Sequence, residues 1–489
     1  MSEFGPAETR MDSYDRLQRR ARFKEHFPLL AAAFFAIAWA VARACVQSVT
    51  LDEADSYLSF AAVDWPAHWF ASSNNHVLNT ILERIFATVF GLSHLTLRAP
   101  ALIGGAIYIA ASYGLCIQIS RERAIRWPLF LCLVYNPFVM DYMVAARGYG
   151  LALGFLMAAV WAISQARLAT ASICVGLSFC SNFSFAYIDA AVILVFTVWI
   201  FGQKRSWRTL ALCLAPGGLI AFLICGSTVW TWPKSQLYYG AQHLSRTWES
   251  IVASTFDHVN PFIVHPLLAY GLKAVRPVLV LMVVALLIWH TLRIVRAGHP
   301  LGLILARAIA IAVMCHWLAL RLMRIPLPME RTAIFFVPLA MLLIGIGAAL
   351  PSGPGFRAWP RSASVAVLTL CAVYFIGCLR LSYFKEWKFD AEVKDVYAVL
   401  QTLHRRDGIH EFEVDWRYSS ALNFYRERFH DHEMPSFAWN DPMRLDKPVY
   451  VLYAPTTEEF IKAENLHVIY RGKLSDVVIA VRPSTSYSR

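Results

Sequence analysis

The feature that most limits what this chain can fold into is a succession of long apolar runs broken by short polar turns. Of 489 residues, 57% are apolar and 16% charged, against about a quarter charged in soluble domains. Backbone polar groups in lipid must be satisfied within each segment, so such runs read as membrane helices. The pattern predicts about eleven: Phe27 to about Val49, about 96–119, a third ending at Pro137, a fourth ending by about Gln165–Arg167, about 169–182, 184–202 and 208–230, an eighth ending at Arg293 and Arg296, a ninth ending at Arg321, a tenth ending at Pro351, and about 362–382.

Charge sets the expected sidedness. Arg19-Arg20-Ala21-Arg22-Phe23-Lys24 precedes the first run, and the basic turns at Arg121–Arg126, Gln203-Lys204-Arg205 and Arg293–Arg296 belong on the same, cytoplasmic, side. The first run has no small-residue cleavage signal and reads as a retained signal anchor. The net charge of +12 is spread between apolar runs. It therefore fits topology and anionic lipid better than nucleic acid. All ten cysteines lie in or beside apolar segments, without zinc spacing, and read as small core residues.

This divides the chain into a cytoplasmic tail (1–26), a transmembrane part (27–384) and an outer soluble α/β domain (385–489). The transmembrane part carries a first outer loop at 51–95 and a large one at 231–273. In the last domain, helical patterns at Phe389–His404 and Ser419–Phe429 alternate with strand-like runs at Phe412–Val414, Val449–Tyr453, His467–Tyr470 and Val477–Val481.

The chemistry-bearing stretch is Thr50-Leu51-Asp52-Glu53-Ala54-Asp55-Ser56-Tyr57, directly after the first run. Three carboxylates in four residues belong at an interface or in a wet cavity, and their repulsion favours a shared proton or a cation. The alternative is a solvated helix start capped by Asp52 or Asp55. The topology puts three further polar clusters on the same side: Asp141 with Arg147, the loop 231–273, and Arg321/Arg324/Glu330/Arg331. Arginines and carboxylates converging at one face suit a phosphate-bearing substrate. Arginine grips phosphate oxygens with two donors, and a carboxylate takes a proton or holds a divalent ion. Asp189, Arg307 and His316 read as structural.

Several of these stretches resemble the GT-C superfamily of membrane glycosyltransferases, in its family 39 branch of protein O-mannosyltransferases, the lipid A aminoarabinose transferase and rhizobial galacturonic acid transferases. They are the acidic pair opening the first outer loop, Asn75-His76 before an interfacial helix, Leu97-Arg98-Ala99-Pro100, Tyr135-Asn136-Pro137-Phe138 and Ala146-Arg147-Gly148-Tyr149. The resemblance implies an inverting hexosyl- or pentosyltransferase using a polyprenyl-phosphate sugar and no nucleotide. It implies an acceptor that is a lipid, glycan or protein, in a bacterial inner membrane with the C-terminal domain periplasmic or extracellular. By position, Asp52 is the general base with Glu53 assisting; His76, Arg98, Asp141, Arg147, Tyr149, Glu330 and Arg331 bind substrate. A divalent ion (Mg, Mn or Zn) would sit on Asp52, Glu53 and Asp141. Where relatives carry Gln-Glu before the Ala-Arg-x-Tyr, this chain has Val144-Ala145, and the nearest acid is Asp141. The competing class is a transporter or flippase of lipid-linked sugars, for which repeat symmetry and charges at the bilayer midplane are the usual marks.

Overall fold

A computed structural model describes residues 7–65, 67–204, 206–233, 236–260, 262–351 and 359–483; for 7–25 it gives the course of the backbone alone. Lys234, Arg205, Ser352–Arg357, residues 1–6 of the tail and the side chains of its basic cluster fall outside the described residues.

Helices dominate. The tail is continuous with the first span in α1 (Ala7–Val46), followed by α2 (Leu51–Ser56), α3 (Val77–Phe90), α4 (His94–Ile119), α5 (Arg123–Val134), α6 (Pro137–Tyr142), α7 (Tyr149–Ser164) and α8 (Leu168–Ser181). Then come α9 (Ala186–Lys204), α10 (Trp207–Trp230), α11 (Leu244–Thr255), α12 (Pro266–Ala297), α13 (Pro300–Met323), α14 (Phe336–Ala349) and α15 (Trp359–Gly377). Eight helices among the described residues are long and apolar enough to cross a membrane, and the chain is an integral membrane protein. The other three expected spans are present as shorter helices, α5, α7 and α8. Of these, α7 and α8 are apolar but too short to cross a membrane alone, while α5 opens with Arg123 and Arg126.

Close packing of α4 on α7 depends on glycine. A Cβ on Gly104 would lie 2.4 Å from the Gly150 backbone, and one on Gly154 would lie 2.3 Å from the Gly104 carbonyl. Small residues at such crossings let two backbones meet, the main source of helix adhesion in lipid.

The C-terminal part contains α16 (Val393–Asp407), α17 (Trp416–Arg428) and α18 (Ala454–Ala463) around a four-stranded sheet. Its strands are β1 (Phe412–Val414), β2 (Val449–Tyr453), β3 (His467–Arg471) and β4 (Val477–Val481), in the order β1-β2-β4-β3. β1 and β2 are parallel; the other two pairs are antiparallel. The sequence reading has the strands and the first two helices but not α18, whose Ala454-Pro455 start follows β2 without a loop.

This domain is not suspended from the bundle. Tyr397, Leu422, Tyr425 and Val451 share one apolar core with Val49, Ala54, Tyr57, Leu97 and Ala146. The Tyr425 hydroxyl accepts from the Val49 amide at 3.0 Å and lies 3.0 Å from His94 Nε2. The Leu51 amide, at the start of α2, donates to Asp390 at 2.7 Å. The domain therefore lies over the acidic stretch and fixes α2 from above.

Candidate active site

The three carboxylates of the acidic stretch diverge, each to its own neighbour: Asp52 to Arg331, Glu53 to Arg98 and Asp55 to Asn74. Thr50, rather than Asp52 or Asp55, caps α2. Its hydroxyl accepts from the Glu53 amide at 3.2 Å, while the Glu53 carboxylate accepts from the Thr50 amide at 2.9 Å. This reciprocal box satisfies two amides that a helix start leaves open. It also turns Glu53 inward.

Glu53 and Arg98 are both 0% exposed and form a two-pronged pair, Nε to Oε1 at 2.9 Å and Nη2 to Oε2 at 2.7 Å. Oε1 also accepts the Ala146 amide at 2.8 Å. The remaining Arg98 donors go to the carbonyls of Ala44, Gln47 and Ser48. Burial by itself would raise the Glu53 carboxyl, but Arg98 and the two amides hold it below its usual range. The pair thus joins the end of α1, the start of α2, α4 and the turn before α7. The expected roles of Glu53 in base assistance and Arg98 in substrate binding have no free atoms to work with.

Asp52, one residue earlier, points the other way. Its Oδ2 is buried and lies 3.2 Å from Arg331 Nη2 and 3.8 Å from Arg147 Nη2, with Trp387 also beside the carboxylate. Burial favours the neutral acid, but the two guanidinium groups outweigh it and keep Asp52 ionised, with a lowered pKa.

The turn that presents Arg147 is fixed on both sides. Glu53 takes the Ala146 amide, Asn182 donates to the Arg147 carbonyl at 3.2 Å, and Gly148 follows with φ of +70°. A Cβ on Gly148 would meet the Ser181 carbonyl at 2.1 Å, so only glycine fits. From there Arg147 reaches the Asp52 carbonyl (3.1 Å), the Ser56 hydroxyl and Asn74 Oδ1 (2.8 Å).

Arg147 and Arg331 line one side of a cavity of about 390 Å³, with His76, Asn74, Asn182, Tyr149 and Tyr239. Phe179, Phe183, Tyr187 and Trp232 give it an apolar wall. His76 is buried, has no hydrogen-bond partner for either ring nitrogen among the described residues, and stands edge-on to Tyr149 at 5.7 Å. Burial, reinforced by the two arginines, keeps its imidazole neutral.

Arg331 also pairs with Glu386, whose other oxygen accepts from the Tyr142 hydroxyl. The guanidinium lies 4.7 Å over Tyr239 and 5.5 Å over Trp387. Glu386 and Trp387 stand on the linker to the C-terminal domain, and sequence reading missed both. Their only signal was position, an acid and an indole just after the last span. Glu330 turns away with φ of +46° and accepts from the Tyr239 hydroxyl instead.

Asp141 is also placed otherwise than expected. It is 5% exposed and clamped by Arg43 Nη2 at 2.7 Å and Arg380 Nη2 at 2.6 Å. The Lys385 amide adds a third bond at 3.0 Å, and Arg380 continues to Asp257. Asp141 is a node of a buried charge chain, not a group facing the cavity.

These commitments decide the fit of a divalent ion. Among the described residues no group of three His, Cys, Asp or Glu side chains is placed to hold one. Both oxygens of Glu53 and of Asp141 are taken by arginines, and Asp52 faces two positive charges. The Asp52/Glu53/Asp141 set does not fit a metal ion, and no step below uses one.

No protein-family model and no curated protein matches the chain. Solved structures do. ArnT from Cupriavidus metallidurans in the apo state aligns over 94% of this chain and 98% of its own, with 11% identity and a TM-score of 0.54. The same protein bound to undecaprenyl phosphate aligns over 96% and 100%, with 13% identity and a TM-score of 0.50. The chain therefore shares the overall fold of that protein over nearly its whole length, the C-terminal part included.

Proposed function

We propose that this chain is an inverting glycosyltransferase that moves a sugar from a polyprenyl-phosphate donor to an acceptor hydroxyl, on the membrane face that carries the C-terminal domain. The observation that carries the reading is Asp52: an ionised carboxylate paired by charge with Arg147 and Arg331, the two arginines that line a cavity with an apolar wall. The similarly folded ArnT bound to undecaprenyl phosphate supports the donor class.

The reaction is a single displacement. The acceptor oxygen attacks the anomeric carbon as the bond from that carbon to the phosphate oxygen breaks. The acceptor proton passes to Asp52, and the electron pair leaves on the phosphate. Arg147 and Arg331 neutralise that charge in a site largely shielded from water, where fixed donors act most strongly. His76, being neutral, adds a hydrogen bond without a further positive charge. Neighbouring arginines make Asp52 a weak base on its own. A bound phosphate offsets them, so its basicity rises once donor is present.

The test is donor turnover. Purified protein in lipid is mixed with polyprenyl-phosphate sugars and an acceptor extract, and free polyprenyl phosphate is followed. Release with a particular donor supports the reading and names the sugar. Movement of donor across the bilayer without cleavage would replace it with a flippase.

A further inference from the structure

Arg331 serves two carboxylates at once. Nη2 faces Asp52 and Nη1 is paired with Glu386. Arg331 lines the cavity, so a phosphate bound to it there competes with both carboxylates for its donors. Asp52 sits at the start of a helix anchored by its capping box, whereas Glu386 is on the linker, with its side chain 22% exposed and its other oxygen on the Tyr142 hydroxyl. Glu386 can give up the arginine and keep Tyr142.

The charges at this point balance. Asp52 and Glu386 supply two negative charges, and Arg147 and Arg331 supply two positive ones. A lipid-linked sugar is a phosphodiester with one negative charge. The lipid monophosphate left after transfer is a monoester with a charge of about −1.5 to −2 near neutrality, as its second pKa is about 6. A fixed carboxylate beside both therefore repels product more than donor, because Coulomb energy scales with the product of the charges.

We propose that Glu386 is a positioning residue that competes with phosphate for Arg331 and thereby favours release of the lipid monophosphate over loss of the donor. This rests on the function proposed above. It also explains why the linker runs through the site: the acid that discharges product belongs to the segment joining the C-terminal domain to the bundle, with Lys385 on Asp141 and Trp387 over Arg331.

The experiment uses the full chain in lipid discs and two probes, a polyprenyl monophosphate and its methyl diester, which carries the donor's charge. Binding is measured for the wild type, Glu386→Gln, Glu386→Asp and Glu386→Gln in an Arg331→Ala background, with inorganic phosphate as a lipid-free arm. Glu386→Gln should tighten the monoester about tenfold and the diester about threefold, the squared dependence expected of doubled charge. Glu386→Asp should behave as wild type, and the gain should vanish without Arg331. In turnover, Glu386→Gln should lower KM and kcat together. Unchanged or weakened binding, or equal tightening of both probes, would overturn the proposal. Should Glu386→Gln melt early, Tyr142→Phe is the second variant. Without the hydroxyl that steadies a released Glu386, the monoester should bind more weakly, and tighter or equal binding would count against the idea. A wild type that binds inorganic phosphate as well as either lipid, or binds neither lipid, would overturn the proposed function and this proposal with it. Lipid binding that Glu386→Gln leaves unmoved would overturn only the latter.

Discussion

Asp52 and Arg331 lie 3.2 Å apart, one at the start of α2 and the other in the turn that opens α14. The contact closes the site between the first and last thirds of the chain. Removing the arginine unbalances Asp52 and strips the cavity of a phosphate contact. Arg331→Ala should raise the KM for donor by about tenfold to a hundredfold, the worth of a charge-assisted hydrogen bond or two. Steady-state kinetics against donor concentration checks this; an unchanged KM would reduce Arg331 to an interfacial anchor.

Glu53 should behave differently from its neighbour. Glu53→Gln leaves Arg98 buried and uncompensated, which costs about 3–5 kcal/mol. The expected result is loss of folded protein, read as a drop in melting temperature and in yield, rather than a folded, inactive enzyme. Folded protein with normal stability and no turnover would restore Glu53 to the chemistry.

The acid side of the pH profile follows from the same charges. Burial would raise Asp52, but Arg147 and Arg331 hold it below the usual carboxylate range of about 4. The limb of kcat/KM, which reports free enzyme, should therefore lie below pH 4. In kcat, where bound phosphate offsets the arginines, it should move to higher pH. Coincident limbs would contradict the coupling. Glu53 and Asp141 are likewise held low by their arginines against burial. Their contribution to stability is complete above their unfolded values, near 4, and is lost as pH falls through the lowered folded ones.

Gly148→Ala should abolish most transfer while leaving the membrane bundle assembled. The added methyl meets the Ser181 carbonyl and cannot hold φ at +70° without strain, so the turn shifts and Arg147 with it. Parallel turnover and melting measurements check this; full activity would mean that the turn is less fixed than its bonds imply.

With the carboxylates committed to arginines, chelation should leave donor turnover within about twofold of its starting rate, a change worth under 0.5 kcal/mol. Loss of turnover with EDTA, restored by one divalent ion, would show that the metal is held by groups outside the Asp52/Glu53/Asp141 set.

Much of this was legible in the sequence. Of the eleven expected spans, apolar length gives the eight long membrane helices and the shorter apolar α7 and α8, and clustering on one side brings Asp52, Arg147 and Arg331 to one expected site. What the sequence hides is direction. Asp52 and Glu53 are adjacent, and successive helix positions point about 100° apart, so one faces Arg147 and Arg331 and the other Arg98. Thr50-Leu51-Asp52-Glu53 has the spacing of a capping box, but the sequence reading has a helix start capped by Asp52 or Asp55 and so leaves out the rotation that the box sets. Asp141 looks like a cavity acid until Arg43 and Arg380, both lying within expected spans, are found on it. Glu386 falls in a linker whose composition is ordinary, and only tertiary contact gives it meaning.

The most direct measurement is a single turnover of Asp52→Asn with saturating donor, alongside lipid monophosphate binding and melting of the same preparation. The isostere keeps shape but cannot accept the proton. The account predicts transfer slowed by about a hundredfold to ten-thousandfold, with lipid monophosphate still bound and the fold intact. Transfer at the wild-type rate in that variant would contradict Asp52 as the base, and with it the central claim.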